Sequence, residues 1–374
     1  MGAETEMTGK DKVTVIIPVY NARETVEGAV QSALAQTWTN LEILLVDDGS
    51  TDGSGVICDR LAGQEERVRV FHRLNRGVSA ARNTGLEAAT GAFVTFLDAD
   101  DRLRPRMVET LLALLHEQGA QIAGCGYAPL TPEEATAARA VGRAEASSGA
   151  PENETPDGKK TAPPDGKHRT PSAETKREIY TYSGEAFVEL GLLRADTRIW
   201  SKLFDRALIG ERRFDERLTI GEDMLFLLSL LPDCAKIAET AEPLYGYYVN
   251  PKGAMEKPYA PSFMDQARCW EEAERFLRRR MPAVYENGHV RRRLAAIQCI
   301  SVMLVASKLS YLPRVERRRY APEIASLRRK LRAYRQTKGC FAALPAGYKC
   351  KVWLFQHWPR LYLALYSRLR RQKA

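Results

Sequence analysis

Between Val13 and Tyr127 the chain repeats one pattern, a short apolar run rich in β-formers followed by a stretch with helical spacing. The runs are VTVIIPV (13–19), LEILLVDD (41–48), RVRVFHR (67–73), AFVTFLD (92–98) and AQIAGCGY (120–127). Helical patterns fill the gaps at 24–36, 50–61, 79–89 and 105–118, the last opened by a proline, which a first helical turn tolerates. Strands that return through helices lie parallel, and parallel sheets are covered on both faces. The pattern therefore predicts an α/β fold with a doubly wound, mostly parallel sheet flanked by helices. Ligands of such sheets bind beyond the carboxyl ends of the strands. Asp47, Asp48, Asp98 and Asp100 all fall at such ends.

The fourth run ends as FVTFLDADDRLRP, with Asp98, Asp100 and Asp101 inside four residues. Carboxylates that close repel one another, and a protein interior does not hold them unpaired. Asp98 and Asp100, two apart at a strand end, can project towards one site. Hard divalent cations such as Mg²⁺ and Mn²⁺ take carboxylate oxygens and bridge them to phosphates. The other reading is an acidic loop capping the next helix, and Asp101 suits such a cap. In VDDGSTDGS (46–54), turn chemistry accounts for Gly49, Ser50 and Asp52 but not for Asp47 and Asp48. Those two stand equally as turn residues or as acceptors for a nucleobase N–H. In IIPVYN (16–21), Pro18 stops ladder pairing and Tyr20 offers a ring to stack on, or merely ends the strand.

Beyond this unit the composition shifts. From about Thr131 to Glu178 it turns to Ala, Pro, Gly, Ser, Thr and charge, with a tandem octapeptide, PDGKKTAP then PDGKHRTP, which predicts a disordered insert. Order resumes at IYTYSGEAFVELGLL (179–193), and RLTIGEDMLFLLSLL (217–231) reads as a turn followed by an apolar helix. From about Pro261 the chain is helical and basic. The net charge of +9 is unevenly spread: from Arg268 onward there are 26 Lys and Arg against 6 Asp and Glu, whereas the remainder has 30 against 41. One face is thus aimed at something anionic. LAAIQCISVMLVA (294–306) is too short for a bilayer span, which takes about 20 residues, and KVWLFQHWPRLYLALYSRLRRQKA reads as an interfacial segment. Seven dispersed cysteines without a CxxC pair fit a reducing cytoplasm, and no apolar leader is evident. The acidic body makes a nucleic-acid partner unexpected.

The stretch VTVIIPVYNARETVEGAVQSALAQTWTNLEILLVDDGSTDGS, followed by NRGVSAARNTGLEAATGAFVTFLDADD, resembles the nucleotide-sugar domain of glycosyltransferase family 2, which has the GT-A fold. Downstream, WSKLF…RRFDERLTIGEDMLF (200–226) is similar to that family's acceptor side. The resemblance implies inverting transfer from a nucleoside-diphosphate sugar with Mn²⁺ or Mg²⁺. By it, Pro18, Tyr20, Asn21 and Glu24 match the nucleoside-binding opening. Asp48, beside Asp47, matches the position that meets uracil, and Asn75, Gly77, Ser79, Arg82 and Asn83 match a segment lining the nucleotide. Asp98 and Asp100 match the metal-binding DxD pair, and Asp223 the catalytic base. Lys202 is expected near the diphosphate or acceptor, and Trp200 in the acceptor pocket or the core. A family Ser in the late Tyr-rich stretch is replaced here by Ala254 in YYVNPKGAM (247–255).

The implied organisation is a flexible start (1–11), a nucleotide-sugar half (12–130), the insert (131–178), an acceptor-side half (179–260) and a basic helical region (261–374) that associates with a membrane. The implied function is transfer of sugar to a saccharide or lipid-linked acceptor in cell-surface polysaccharide synthesis, in the cytoplasm at the inner face of the plasma membrane. An inverting base placed at a helix start is expected to stay ionised at neutral pH. The competing reading is a non-catalytic nucleotide- or membrane-binding protein on the same fold.

Overall fold

The computed structural model describes residues 11–131, 134, 178–250 and 258–371. Almost all of the predicted insert, and Ala254, lie outside the described residues. Five strands fall on the five apolar runs: β1 (Val13–Val19), β2 (Leu41–Asp47), β3 (Val68–His72), β4 (Phe93–Phe96) and, after the short β5 (Arg102–Leu103), β6 (Ile122–Pro129). Between them run α1 (Val26–Leu34), α2 (Ser54–Gln64), α3 (Val78–Ala88) and α4 (Met107–Gln118). β7 (Ile179–Tyr182), α5 (Gly184–Leu190), β8 (Lys202–Asp205), α6 (Glu222–Leu230) and β9 (Ile237–Tyr247) follow.

The strands form one nine-stranded sheet in the order β3-β2-β1-β4-β8-β6-β9-β5, with β7 also on β9. The half from β3 to β4 is wholly parallel. Beyond it β8 enters antiparallel between β4 and β6, so the sheet is mixed. β5, β8 and the eleven-residue β9 were not anticipated from sequence.

Every residue of β1 and β2 is buried, as expected for central strands covered on both faces. Their side chains alternate between two cores. Ile16, Leu44, Val94, Phe96, Phe204 and Ile237 face one core with α5 and α6. Val15, Ile17, Ile43, Leu45, Leu203 and Ala238 face the other with α1 and α4. The α3 helix lies tight against β1 at Gly85, where an added Cβ would meet Ile16 Cγ2 at 2.4 Å.

A third core joins the C-terminal helices α7 (Asp265–Arg280), α8 (Gly288–Ser310), α9 (Ala321–Arg335), α10 (Ala346–His357) and α11 (Pro359–Arg371). α8 extends the apolar 13-residue run to 23 residues, long and apolar enough by composition to cross a bilayer, yet 67% of its apolar window is buried inside the protein. It is the central helix of this bundle. The terminal aromatic segment does break at Pro359, as its sequence suggested, leaving α10 and α11 as separate helices.

Replacing Gly85 with Val forces three heavy atoms into the α3–β1 contact. The expected loss is about 1–3 kcal/mol, read as a lower urea midpoint at unchanged m-value.

Candidate active site

Four strand ends stand side by side in the order β3-β2-β1-β4, and the expected site residues follow them. Tyr20 and Asn21 leave β1, Asp47 and Asp48 end β2, Asn75 and Gly77 follow β3, and Asp98 and Asp100 follow β4. Tyr20 is 53% exposed, and Glu24 and Asn75 are exposed as well. Asn21 adopts φ 50°, a left-handed conformation that asparagine tolerates better than most residues. Its side-chain oxygen accepts from Thr51 N–H at 2.9 Å while its own N–H donates to Ser50 Oγ at 3.0 Å, so the loops after β1 and β2 are tied together.

Asp47 and Asp48 separate in role. Asp47 accepts from Ser50 N–H and His72 Nδ1, each at 3.0 Å. Burial opposes its ionisation, but these bonds prevail and hold its carboxyl below the ordinary range. Asp48, only 2% exposed, accepts from Gly77 N–H at 2.7 Å and pairs with Arg73 at 3.2 Å, fixing the loop that leads into α3. Ser79, in the first turn of α3, is buried with its Oγ lacking a partner among the described residues. Asn83, one turn on, donates to Phe214 C=O at 3.0 Å and accepts from Phe214 N–H at 2.8 Å. It therefore clamps the two halves of the chain together.

Arg82 is the hub. Its guanidinium, with 4% of the side chain exposed, reaches Asp98 at 3.0 Å, Asp223 at 2.7 Å and Glu222 at 3.3 Å. The DxD segment and the first turn of α6, 125 residues apart in sequence, thus face one buried cation. Gly221, at φ 89°, lets the start of α6 pack closely on α7, because a Cβ there would meet Cys269 at 2.5 Å. Burial pushes the Asp223 carboxyl up to about 7, against the pull of Arg82 and helped by Glu222 and Asp98. The expectation of a base fully ionised at neutral pH is corrected accordingly: desolvation outweighs the helix dipole.

The other two acidic residues behave differently. Burial and the charge of Asp98 raise the Asp100 carboxyl, opposed by Asn250. Burial and both neighbours raise Asp101 to about 8. Asp101 does not cap α4. It accepts from Tyr245 O–H and Tyr248 N–H, each at 2.7 Å, and so fastens the β4 loop to the end of β9. Among the described residues no three acidic, His or Cys side chains converge as a metal cage. Asp98, already paired with Arg82, and Asp100, buried beside it, bring two carboxylates together. This suits a cation such as Mg²⁺, which keeps the rest of its shell for phosphate and water.

Lys202 departs from expectation. Its side chain is 1% exposed, with Nζ 2.8 Å from Asp196 and 3.5 Å from Glu239. An ammonium so enclosed is already neutralised by these two carboxylates. Trp200 and Asp223 both line a cavity of about 1060 Å³ bounded by the 192–200 loop, the start of α6, α7 and α8. Sequence reasoning missed Tyr245, Asn250 and the arginines of this cavity, because β9 with the residues after it, the 192–200 loop and α8 carry no local motif at these positions.

Residues 14–160 match the family described as glycosyl transferase family 2. This part of the chain is a family 2 glycosyltransferase domain. An uncharacterized glycosyltransferase of Bacillus subtilis, EpsJ, is 30% identical over 260 residues, which takes in 68% of this chain and 65% of that protein. The crystal structure of S. aureus TarS 1–349 in complex with UDP-GlcNAc superposes with TM-score 0.57 at 17% identity, covering 97% of this chain and 92% of that one. The mannosyltransferase PcManGT of Pyrobaculum calidifontis, in complex with GDP-Man and Mn²⁺, gives TM-score 0.51 at 15% identity over 93% of this chain and 88% of that one. The fold is therefore that of the GT-A glycosyltransferases.

In the ligand-free protein, Asp223 is expected to titrate near 7. Arg82→Gln removes the charge that lowers it, so the midpoint moves to higher pH. Carboxyl-carbon NMR against pH measures both, and a midpoint in the ordinary aspartate range would contradict the burial argument.

Proposed function

We propose that the chain is a metal-dependent, inverting glycosyltransferase that moves sugar from a nucleoside-diphosphate donor, UDP-linked, to an acceptor hydroxyl. The observation that carries this reading is the single guanidinium of Arg82 shared by Asp98 and Asp223. It sets a pair of cation-seeking carboxylates against a carboxylate whose proton affinity suits a base. Tyr20, Asn21 and Asp48, with the loop from Asn75 to Ser79, cradle the nucleoside at the parallel strand ends. Asp98 and Asp100 would hold Mn²⁺ or Mg²⁺, which would supply neutralisation of the charge that develops on the departing diphosphate. Asp223 takes the proton of the attacking hydroxyl, and Arg82 positions it and stabilises its ionised form. The donor complexes of TarS and PcManGT support a nucleotide sugar and a divalent ion.

The acceptor is a saccharide or lipid-linked saccharide of cell-surface polysaccharide synthesis, met at the cytoplasmic face of the membrane. Two features of the C-terminal bundle support this. Leu361, Leu365 and Leu369 form an exposed stripe on α11, with Trp358 just before it. Beside them lies a cleft lined by eight arginines. Six of these, Arg314, Arg318, Arg329, Arg332, Arg360 and Arg368, make neither an ion pair nor a side-chain hydrogen bond among the described residues. Arginines near an anionic bilayer contribute about 1 kcal/mol each.

Release of UDP from a panel of UDP-sugars is expected to require Mn²⁺ or Mg²⁺ and to be lost in Asp100→Asn. Asp223→Asn should keep nucleotide binding and lower kcat by about 10²–10⁴-fold. Nucleotide binding without turnover of any donor would favour the non-catalytic reading. In sedimentation with vesicles, the full chain should bind those containing phosphatidylglycerol far better than pure phosphatidylcholine, and Leu361→Glu/Leu365→Glu should abolish the difference.

A further inference from the structure

The cavity beside Asp223 is unevenly charged. Among the described residues its only acidic lining residues are Glu222 and Asp223, both held by Arg82 at one end. Along the 192–200 loop and α8 its wall carries Arg194, Arg198, Arg292 and Arg293. Arg198 shares its charge with Asp196 at 3.1 Å. Arg194, Arg292 and Arg293 have no carboxylate partner among the described residues. Arg293 Nε donates instead to Leu193 C=O at 3.1 Å, which fastens α8 to the loop that bears Arg194. The loop is bent there by Ala195, a non-glycine residue at φ 74°, a conformation that costs free energy. Farther along, the wall becomes apolar at Ile297, Ile300 and Leu304. Unpaired guanidiniums in a partly enclosed wall suit phosphate oxygens better than neutral hydroxyls, because Arg binds such oxygens in a bidentate, charge-assisted fashion. At about 1060 Å³ the cavity is at the upper end of the sizes usual for small-molecule sites, with space for more than one sugar ring.

We infer that this cavity is the acceptor site and that the acceptor is anionic, a saccharide carrying a phosphate that Arg194, Arg292 and Arg293 bind while its free hydroxyl faces Asp223. The assignment rests on the transferase reading for the identity of the occupant. The phosphate itself has two possible sources, a lipid-phosphate link whose chain would continue along Ile297, Ile300 and Leu304, or a phosphate within a water-soluble polymer.

Titration calorimetry on the full chain, with UDP saturating the donor site, separates these outcomes. Decyl phosphate, decyl glucoside and glycerol phosphate serve as probes. Decyl phosphate should bind more tightly than decyl glucoside. Arg292→Gln/Arg293→Gln should weaken decyl phosphate about tenfold or more and leave the glucoside unmoved. Because Arg293 also ties α8 to the loop, the exposed Arg194→Gln provides a second variant with the same expected direction. Glycerol phosphate binding as well as decyl phosphate would support the polymer source, and decyl phosphate alone the lipid link. Equal affinity for phosphate and glucoside, or a phosphate affinity unchanged in both variants, would overturn the inference. Its failure is distinct from failure of the transferase reading. Metal-dependent UDP release without phosphate preference sinks only the anionic acceptor, whereas phosphate binding without turnover of any donor sinks only the transferase.

Discussion

The site depends on a cation buried among more negative charge than it can neutralise. Arg82 meets three carboxylates, two from the start of α6 and one from the end of β4, with almost none of its side chain in water. Removing such a charge from solvent costs several kcal/mol, and only close partners offset it. The two halves of the chain are thereby obliged to meet at one point. Asn83, one position along α3, reinforces that meeting through both backbone groups of Phe214. The charge balance around Arg82 remains negative, which is the condition under which a further cation and an anionic donor bind together.

Buried carboxylates at the two ends of the sheet differ in how their charge is met. Glu42 lies at the opposite end of the strands. Burial opposes its ionisation, but hydrogen bonds from Thr14, Thr90 and Lys12 prevail and lower its carboxyl to about 2. Its contribution to stability is present above the unfolded glutamate range and is lost as pH falls towards 2. Asp101 and Asp223 have fewer compensating donors and more like charge nearby, so burial wins and both rise. The bottom of the sheet is electrostatically closed, and the top is left open.

Much of the fold was legible because β1 and β2 are buried on both faces, and such strands write themselves as unbroken apolar runs. The carboxylates at their ends were equally visible, since an Asp that follows such a run has left the core. β8 and β9 were not legible. KLFD is four residues long and IAETAEPLYGY is interrupted by Pro243 and two glutamates, so neither shows a period that outweighs its neighbours. The enclosure of Lys202 was hidden for the same reason. Nothing near it in sequence indicates that Glu239, 37 residues on, returns beside it in the adjoining part of the sheet.

The amino-acid sequence alone determined the alternating parallel half, the acidic ends of its strands, and the polar Gly-Glu-Asp turn before an apolar helix. Each of these follows from local periodicity and the cost of burying charge. Only the tertiary structure decided which carboxylates share Arg82, that Asp47, Asp101 and Asn83 serve as ties, and that Lys202 is enclosed. It alone brought Arg194 of a bent loop beside Arg292 and Arg293 of α8. Such pairings depend on contacts between residues on separate elements, some more than a hundred positions apart, which packing creates and no local pattern encodes.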